Sequence, residues 1–206
     1  RSSDRETGFD KQDFVAKLRL NSAANADIYH QLDLKVDYSE ELSNETYLGL
    51  TDQDFDADPN QRYFASERDN MDTKRTGYMI RHLVDLNSDL TLTTTAYRNE
   101  FARNWYKAAG LGGLIDDANS GDATAQAQLR GEEDLEFDIK NNNREYVSQG
   151  LDFKADWHTD IAGMRHALTF GTRFHDDEVD RFQPVDTFNQ LTGSGRPTLE
   201  FVSSTW

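Results

Sequence analysis

The feature that most constrains this chain is strict two-residue alternation of apolar and polar side chains, recurring in several separate segments. In 14–21, Phe14, Ala16, Leu18 and Leu20 alternate with Val15, Lys17, Arg19 and Asn21. In 31–38, Leu32, Leu34, Val36 and Tyr38 alternate without exception with Gln31, Asp33, Lys35 and Asp37. A helix would scatter these apolar residues around its axis, whereas a strand sends them all to one face. Segment 144–157 repeats the pattern through Val147, Leu151, Phe153, Ala155 and Trp157, with Gln149 the misfit. Segment 166–175 sets Leu168, Phe170, Thr172 and Phe174 against Thr169, Gly171, Arg173 and His175. Two rougher segments, 76–86 and the Thr-rich 90–100, also read as strands.

Six strands are therefore expected, over 10–21, 30–41, 75–86, 90–101, 144–157 and 166–177. Their connections alternate in length. Short links at Ser22–Tyr29, Asn87–Asp89 and Asp160–Gly163 contrast with long segments 42–74 and 102–143, and a third long segment is expected to begin near Asp176. Short turns at one end and long loops at the other are the habit of outer-membrane barrels, whose tilted strands need about 9–11 residues to cross. Tyr38, Tyr78, Tyr97, Tyr146 and Trp157 fall near strand ends, where an aromatic girdle would meet head groups.

Composition narrows the classes. The hydrophobic fraction is 36%, below the roughly 45–50% usual for a soluble domain, which suits strands that need grease on one face. Eight Tyr, 12 Phe and 3 Trp argue against disorder. A formal net charge of -16 argues against nucleic acid as a partner. The absence of Cys removes disulfide frameworks and thiolate metal sites. No apolar run approaches the roughly 20 residues of a membrane helix, so a membrane protein of this composition has to be a barrel. The fold class expected is all-β, an antiparallel up-and-down transmembrane β-barrel segment. Its lipid-facing set is Phe14, Leu18, Leu20, Leu32, Leu34, Val36, Leu151, Phe153, Leu168 and Phe170.

Motifs for bond chemistry fail one by one, and the chain does not read as an enzyme. The acidic run from Asp52 to Pro59 has Ala57 and Tyr63 where an EF-hand requires Gly and Glu, leaving a looser cation loop or a solvated acidic loop. Asp176, Asp177, Glu178 and Asp180 form another cluster just past an expected strand end, flanked by Arg173 and Arg181, a place suited to divalent cations that bridge lipopolysaccharide. The five His form no i, i+4 pair, and Gly110–Gly113 lacks the Lys and Ser/Thr of a phosphate loop. Segment 116–130 reads as a short surface helix. No cofactor is implied.

The run Glu41 to Thr51, continuing through Asp54-Phe55 and Asp58-Pro59, resembles TonB-dependent outer-membrane receptors, and within them the ferric-siderophore receptors of ferric-dicitrate type. Thr93 to Phe101 with Asn104 to Lys107, Tyr146 with Gln149–Leu151, and Arg173–Glu178 with Asp180–Phe182 carry the same resemblance. It implies a plugged barrel in the Gram-negative cell outer membrane. Such a barrel imports a ferric siderophore or other metal chelate with energy passed on by the periplasmic TonB protein. Six strands cannot close such a barrel, and neither plug nor energy-coupling box is visible. Arg1 opens the chain without a leader, and Trp206 reads as a cut inside a returning strand. Residues 1–206 are thus expected to be part of a receptor's barrel domain.

The chelate-binding candidates are basic and aromatic residues at loop positions: Arg62, Arg68 and Arg75 at the first long loop, then Arg98, Arg103, Trp105 and Tyr106 near the second. Two other classes fit the alternation. One is a soluble all-β adhesion or carbohydrate-binding module with acidic calcium-binding loops, its apolar face buried. The other is a small self-contained barrel of about eight strands.

Overall fold

A computed structural model of the protein describes residues 7–193 and 196–205; Trp206, and with it the expected cut inside a strand, lies outside the described residues. The chain forms one antiparallel sheet from strands β1 (Phe9–Asn21), β2 (Tyr29–Ser43), β3 (Asn70–Asn87), β4 (Leu90–Ala109), β5 (Leu135–Ile161), β6 (Met164–Phe182), β7 (Val185–Leu191) and β8 (Thr198–Thr205). Neighbours in sequence pair in sequence order, and both β6 and β7 pair with β5. β7 takes up the edge of β5 where β6 leaves it, with Pro184 between them accepting a bond from the Asn141 amide at 3.0 Å. β1 and β8 do not pair with each other, so the sheet is open.

All six expected strands are present, but the sheet has eight and the strands are longer than the alternation reaches. β3 begins at Asn70, β4 runs to Ala109, β5 starts at Leu135 and β6 continues to Phe182. Parts of the segments 42–74 and 102–143 are therefore strand. The third long loop near Asp176 does not exist, and the acidic cluster lies within β6. The reason is chemical. Stretches such as Asn141–Glu145 are polar on both faces, so no apolar residue marks the pleat there.

The register shows how far the apolar face extends. Leu18 pairs with Leu34, and that row continues through Ile80, Ala96, Leu151 and Phe174. No further layer of protein covers this face among the described residues. Leu18, Ile80, Phe153 and Phe170 are all exposed, and Phe174 reaches 65%. The apolar window also drifts. On β1 it runs from Phe14 to Leu20, yet the row through Phe14 and Tyr38 ends at Glu178 on β6, whose window is Leu168–Phe174. That is a shift of about four residues over five strand interfaces. At roughly 3.3 Å per residue and 4.8 Å per strand it corresponds to strands tilted by about 30° from the normal to the band. A band crossing tilted strands is what a barrel wall requires.

Short turns close one end of the sheet: residues 22–28, 88–89, and Ala162–Gly163 with φ of 53° and 78°. Two consecutive positive φ values match the twist of a two-residue hairpin. At the other end the two long connections fold together. The first holds α1 (Asp52–Ala57) and a 3-10 turn (Phe64–Ser66); the other holds α2 (Gly112–Asn119) and α3 (Ala123–Arg130). The expected helix over 116–130 is thus a pair of helices. Gly112 and Gly113 open α2. Tyr63, Ala118, Ala125 and Leu129 form one small core, and Ala65, Ala108, Leu111, Phe137, Ile139 and Phe188 form another beneath it. Parity places Ala108 and Ile139 on the same side of the sheet as Ala96 and Leu151, so this cap packs on the apolar side, beyond the open band.

Candidate functional site

The polar face carries charges of both signs along its turn-side half, and they are paired. Arg19 bonds Asp33, Arg173 bonds Asp152, and Lys35 bonds Asp37, at 2.5, 2.6 and 2.7 Å. Toward the loop side the balance changes. Arg103 on β4 pairs directly with Arg144 on β5, which pairs with Arg181 on β6. Strands lie about 4.8 Å apart, so three guanidinium-bearing positions fall within roughly 10 Å. Like charges placed directly opposite destabilise a sheet unless something offsets them. None of the three forms an ion pair among the described residues. Arg144 donates to Asn142 Oδ1 at 3.2 Å, and Arg181 to Gln183 Oε1 at 3.0 Å, both uncharged. Arg103 Nε is buried without a partner among the described residues.

The rows on either side hold no carboxylate on these strands. On the turn side stand Arg75, Phe101, Tyr146 and Val179; on the loop side stand Met71, Trp105 and Asn142. One further step brings Lys107 opposite Lys140. Lys107 Nζ sits 3.6 Å from the Tyr47 ring centroid and 4.3 Å from that of Trp105, and the two rings meet edge to face. Burial, with Lys140 beside it, holds the Lys107 ammonium below its ordinary value. Phe101 packs on Tyr146 at 5.8 Å. The result is a strip of positive charge interleaved with rings, in a chain whose net charge is -16. At the same height the opposite face is acidic, with Glu100, Glu145, Glu178 and Asp180. The separation follows from side-chain parity alone.

Seven residues are expected from the sequence to contact a ligand, and the structure sorts them. Arg75, Arg103 and Trp105 join the basic strip from strands, Arg75 with an ion pair to Asp37 at 3.6 Å. Arg98 and Tyr106 are also strand residues but lie on the other face: Arg98 bonds Glu100 and Gln149, and Tyr106 packs against the cap core with its hydroxyl 3.4 Å from Asp186. Arg62 lies in the first connection but is only 7% exposed, donating to the carbonyls of Asn44, Ser66 and Asp69. Arg68 lies over the Phe188 ring at 4.9 Å. Arg144 and Lys140 belong to the strip without any motif that marks them in the sequence; Arg181, Lys107 and Tyr47 belong to it too, and lie in runs singled out there for other reasons. Counting back by twos from Lys154 and Asp152 puts Arg144 on the polar face, but its neighbours on other strands need the register.

The acidic motifs resolve differently. Thr51 caps α1, and Asp54 accepts from Arg130 at 2.8 Å and from Tyr63 at 2.7 Å, joining the two connections. In the cluster on β6, Asp177 faces the polar side beside His175, at 3.0 Å, while Asp176, Glu178 and Asp180 face the other. Among the described residues no three or more His, Cys, Asp or Glu gather within reach of one metal ion.

No family model matches this chain, and no curated protein does. Among solved structures it is similar to the ferric citrate transporter FecA in its unliganded form. The identity is 15%, the match covers 97% of this chain and 25% of that one, and the TM-score is 0.61. BauA, the ferric preacinetobactin receptor of Acinetobacter baumannii, matches at 10% identity over 96% of this chain and 27% of its own, with a TM-score of 0.49. The chain spans about a quarter of the length of these structures. At such identity the likeness to the transporter is one of fold: the open sheet corresponds to a section of β-barrel wall.

Proposed function

We propose that this chain is a section of the barrel of an outer-membrane receptor that takes up an anionic ferric siderophore or similar metal chelate, driven in the complete protein by a periplasmic TonB partner. The observation that carries the reading is the opposition of the two faces. One face presents an uncovered, tilted apolar band, and the other an Arg103–Arg144–Arg181 row that forms no ion pair among the described residues. Outer-membrane lipid covers the apolar face, and the basic face lines the water-filled interior near its external mouth. The short turns then lie in the periplasm and the cap outside the cell. Fold similarity to a ferric citrate transporter supports the same reading.

Recognition here is electrostatic and involves no bond chemistry. Guanidinium groups offer forked donors to carboxylate or other chelate oxygens, and a row without competing carboxylates keeps those donors available. Trp105 Nε1, buried without a partner among the described residues, adds a donor within the strip. Each charge-assisted bond lost is worth about 1.5–3 kcal/mol, or roughly 10–100-fold in affinity. With ferric citrate as the probe and the full-length receptor in detergent, Arg144→Gln is expected to weaken binding at least tenfold. Arg98→Gln, on the lipid side, is expected to leave it unchanged. Equal effects of both substitutions, or none from Arg144→Gln with any of a panel of anionic ferric chelates, would refute the site.

A further inference from the structure

The turn-side rim of the apolar face carries a feature that the cargo path does not use. His30 on β2 and His82 on β3 are diagonal neighbours, since His30 pairs with Val84 and Leu32 with His82. Diagonal positions are close enough for long side chains to meet. His30 Nδ1 and His82 Nε2 are 3.2 Å apart, and the rings are nearly parallel, with 7° between their planes and centroids at 5.4 Å. Leu20 and Leu32 line the same hollow. The start of β2 is pinned, because the Ser22 amide donates to the His30 carbonyl at 2.9 Å and the His30 amide to Ser22 Oγ at 2.8 Å.

We propose that His30 and His82 form a two-nitrogen clip for a divalent transition-metal ion of the zinc, nickel or copper class. Two imidazole nitrogens at 3.2 Å are spaced as neighbouring ligands of one such ion, whose bonds to imidazole are about 2.0–2.1 Å. The donor set selects borderline ions over hard ferric iron, which prefers oxygen. No third His, Cys, Asp or Glu joins the pair among the described residues, so water or a lipid phosphate oxygen completes the coordination. His30 stands one row to the turn side of Leu32, where the apolar window of β2 ends, which is the level of lipid head groups. The clip lies on the face opposite the basic strip, so its ion is not the cargo. Bound there, the ion ties β2 to β3 at the rim.

The test uses untagged, metal-stripped full-length protein in detergent micelles, with nickel(II) followed by calorimetry and copper(II) by electron paramagnetic resonance. One ion per protein at micromolar concentration is expected, with two nitrogen couplings in the copper spectrum. Affinity should fall at least tenfold in His82→Gln and, separately, in His30→Gln, and stay unchanged in His158→Gln. No saturable binding, or binding that survives either of the first two substitutions while circular dichroism shows an intact sheet, would overturn the proposal.

Discussion

At the scale of single residues, the chain uses charge in two opposite ways. In the strip, Arg103, Arg144 and Arg181 form no ion pair among the described residues. In the cap, charges are buried and consumed by structure. Asp69 is 1% exposed and accepts from the Ala108 amide at 2.7 Å and from Thr46 at 2.8 Å, fastening the first connection to the end of β4. Burial raises its carboxyl to about 6, against partial opposition from those bonds and from Arg62. A carboxyl whose folded value lies above its unfolded one stabilises the fold most below the unfolded value, near 3.8, and that contribution is lost as pH rises through about 6. Asp54 acts in the opposite sense. Bonds from Arg130 and Tyr63 outweigh its burial and hold it below its ordinary value, so its contribution is lost only in stronger acid. Amide hydrogen exchange in residues 44–69, corrected for intrinsic rates, should therefore show protection weakening between pH 4.5 and 6.5. The effect is about 3 kcal/mol at most. Asp69→Asn should flatten that dependence.

At the scale of elements, what is legible in the sequence follows from which strands have one greasy side. The six strands and the faces of Leu34, Phe153 and Phe170 can be read from alternation because one side of each strand is apolar and the other polar. The upper halves of β4, β5 and β6 are not legible, since Asn104, Asn143 and Glu145 stand where an apolar residue would mark the pleat. The basic strip lies in those halves, which is why Arg144 goes unmarked in the sequence and Arg181 shows there only as a flank of the acidic cluster, while Arg98, on the other face, reads as a candidate. Glycines hold similar information: Tyr97 lies across Gly150 to reach His175 Nδ1 at 2.6 Å, and a Cβ at Gly150 would meet its hydroxyl. Such a joint shows only once β4, β5 and β6 are in register. The face assignment makes a strand-level prediction. In the full-length barrel refolded into lipid vesicles, Leu34→Arg should cost about 2–4 kcal/mol if it lies near the bilayer midplane. Thr95→Arg, on the polar face of β4, should stay within about 1 kcal/mol. Denaturant titration of both variants measures the difference.

At the scale of the whole molecule, three properties converge on a barrel wall: an open antiparallel sheet, an apolar band that drifts across the register, and turns and loops segregated to opposite ends. Leu18, Ile80 and Phe174 lie exposed along that band. The direct test is site-directed spin labelling of the full-length protein in lipid vesicles, at Leu34 and Phe153 on one face and at Lys35 and Lys154 on the other. Labels at Leu34 and Phe153 should be reached by oxygen dissolved in the hydrocarbon and shielded from a water-soluble nickel chelate, and those at Lys35 and Lys154 should show the reverse. Equal access of the aqueous chelate to all four positions would contradict the assignment of one face to lipid and the other to a watery interior.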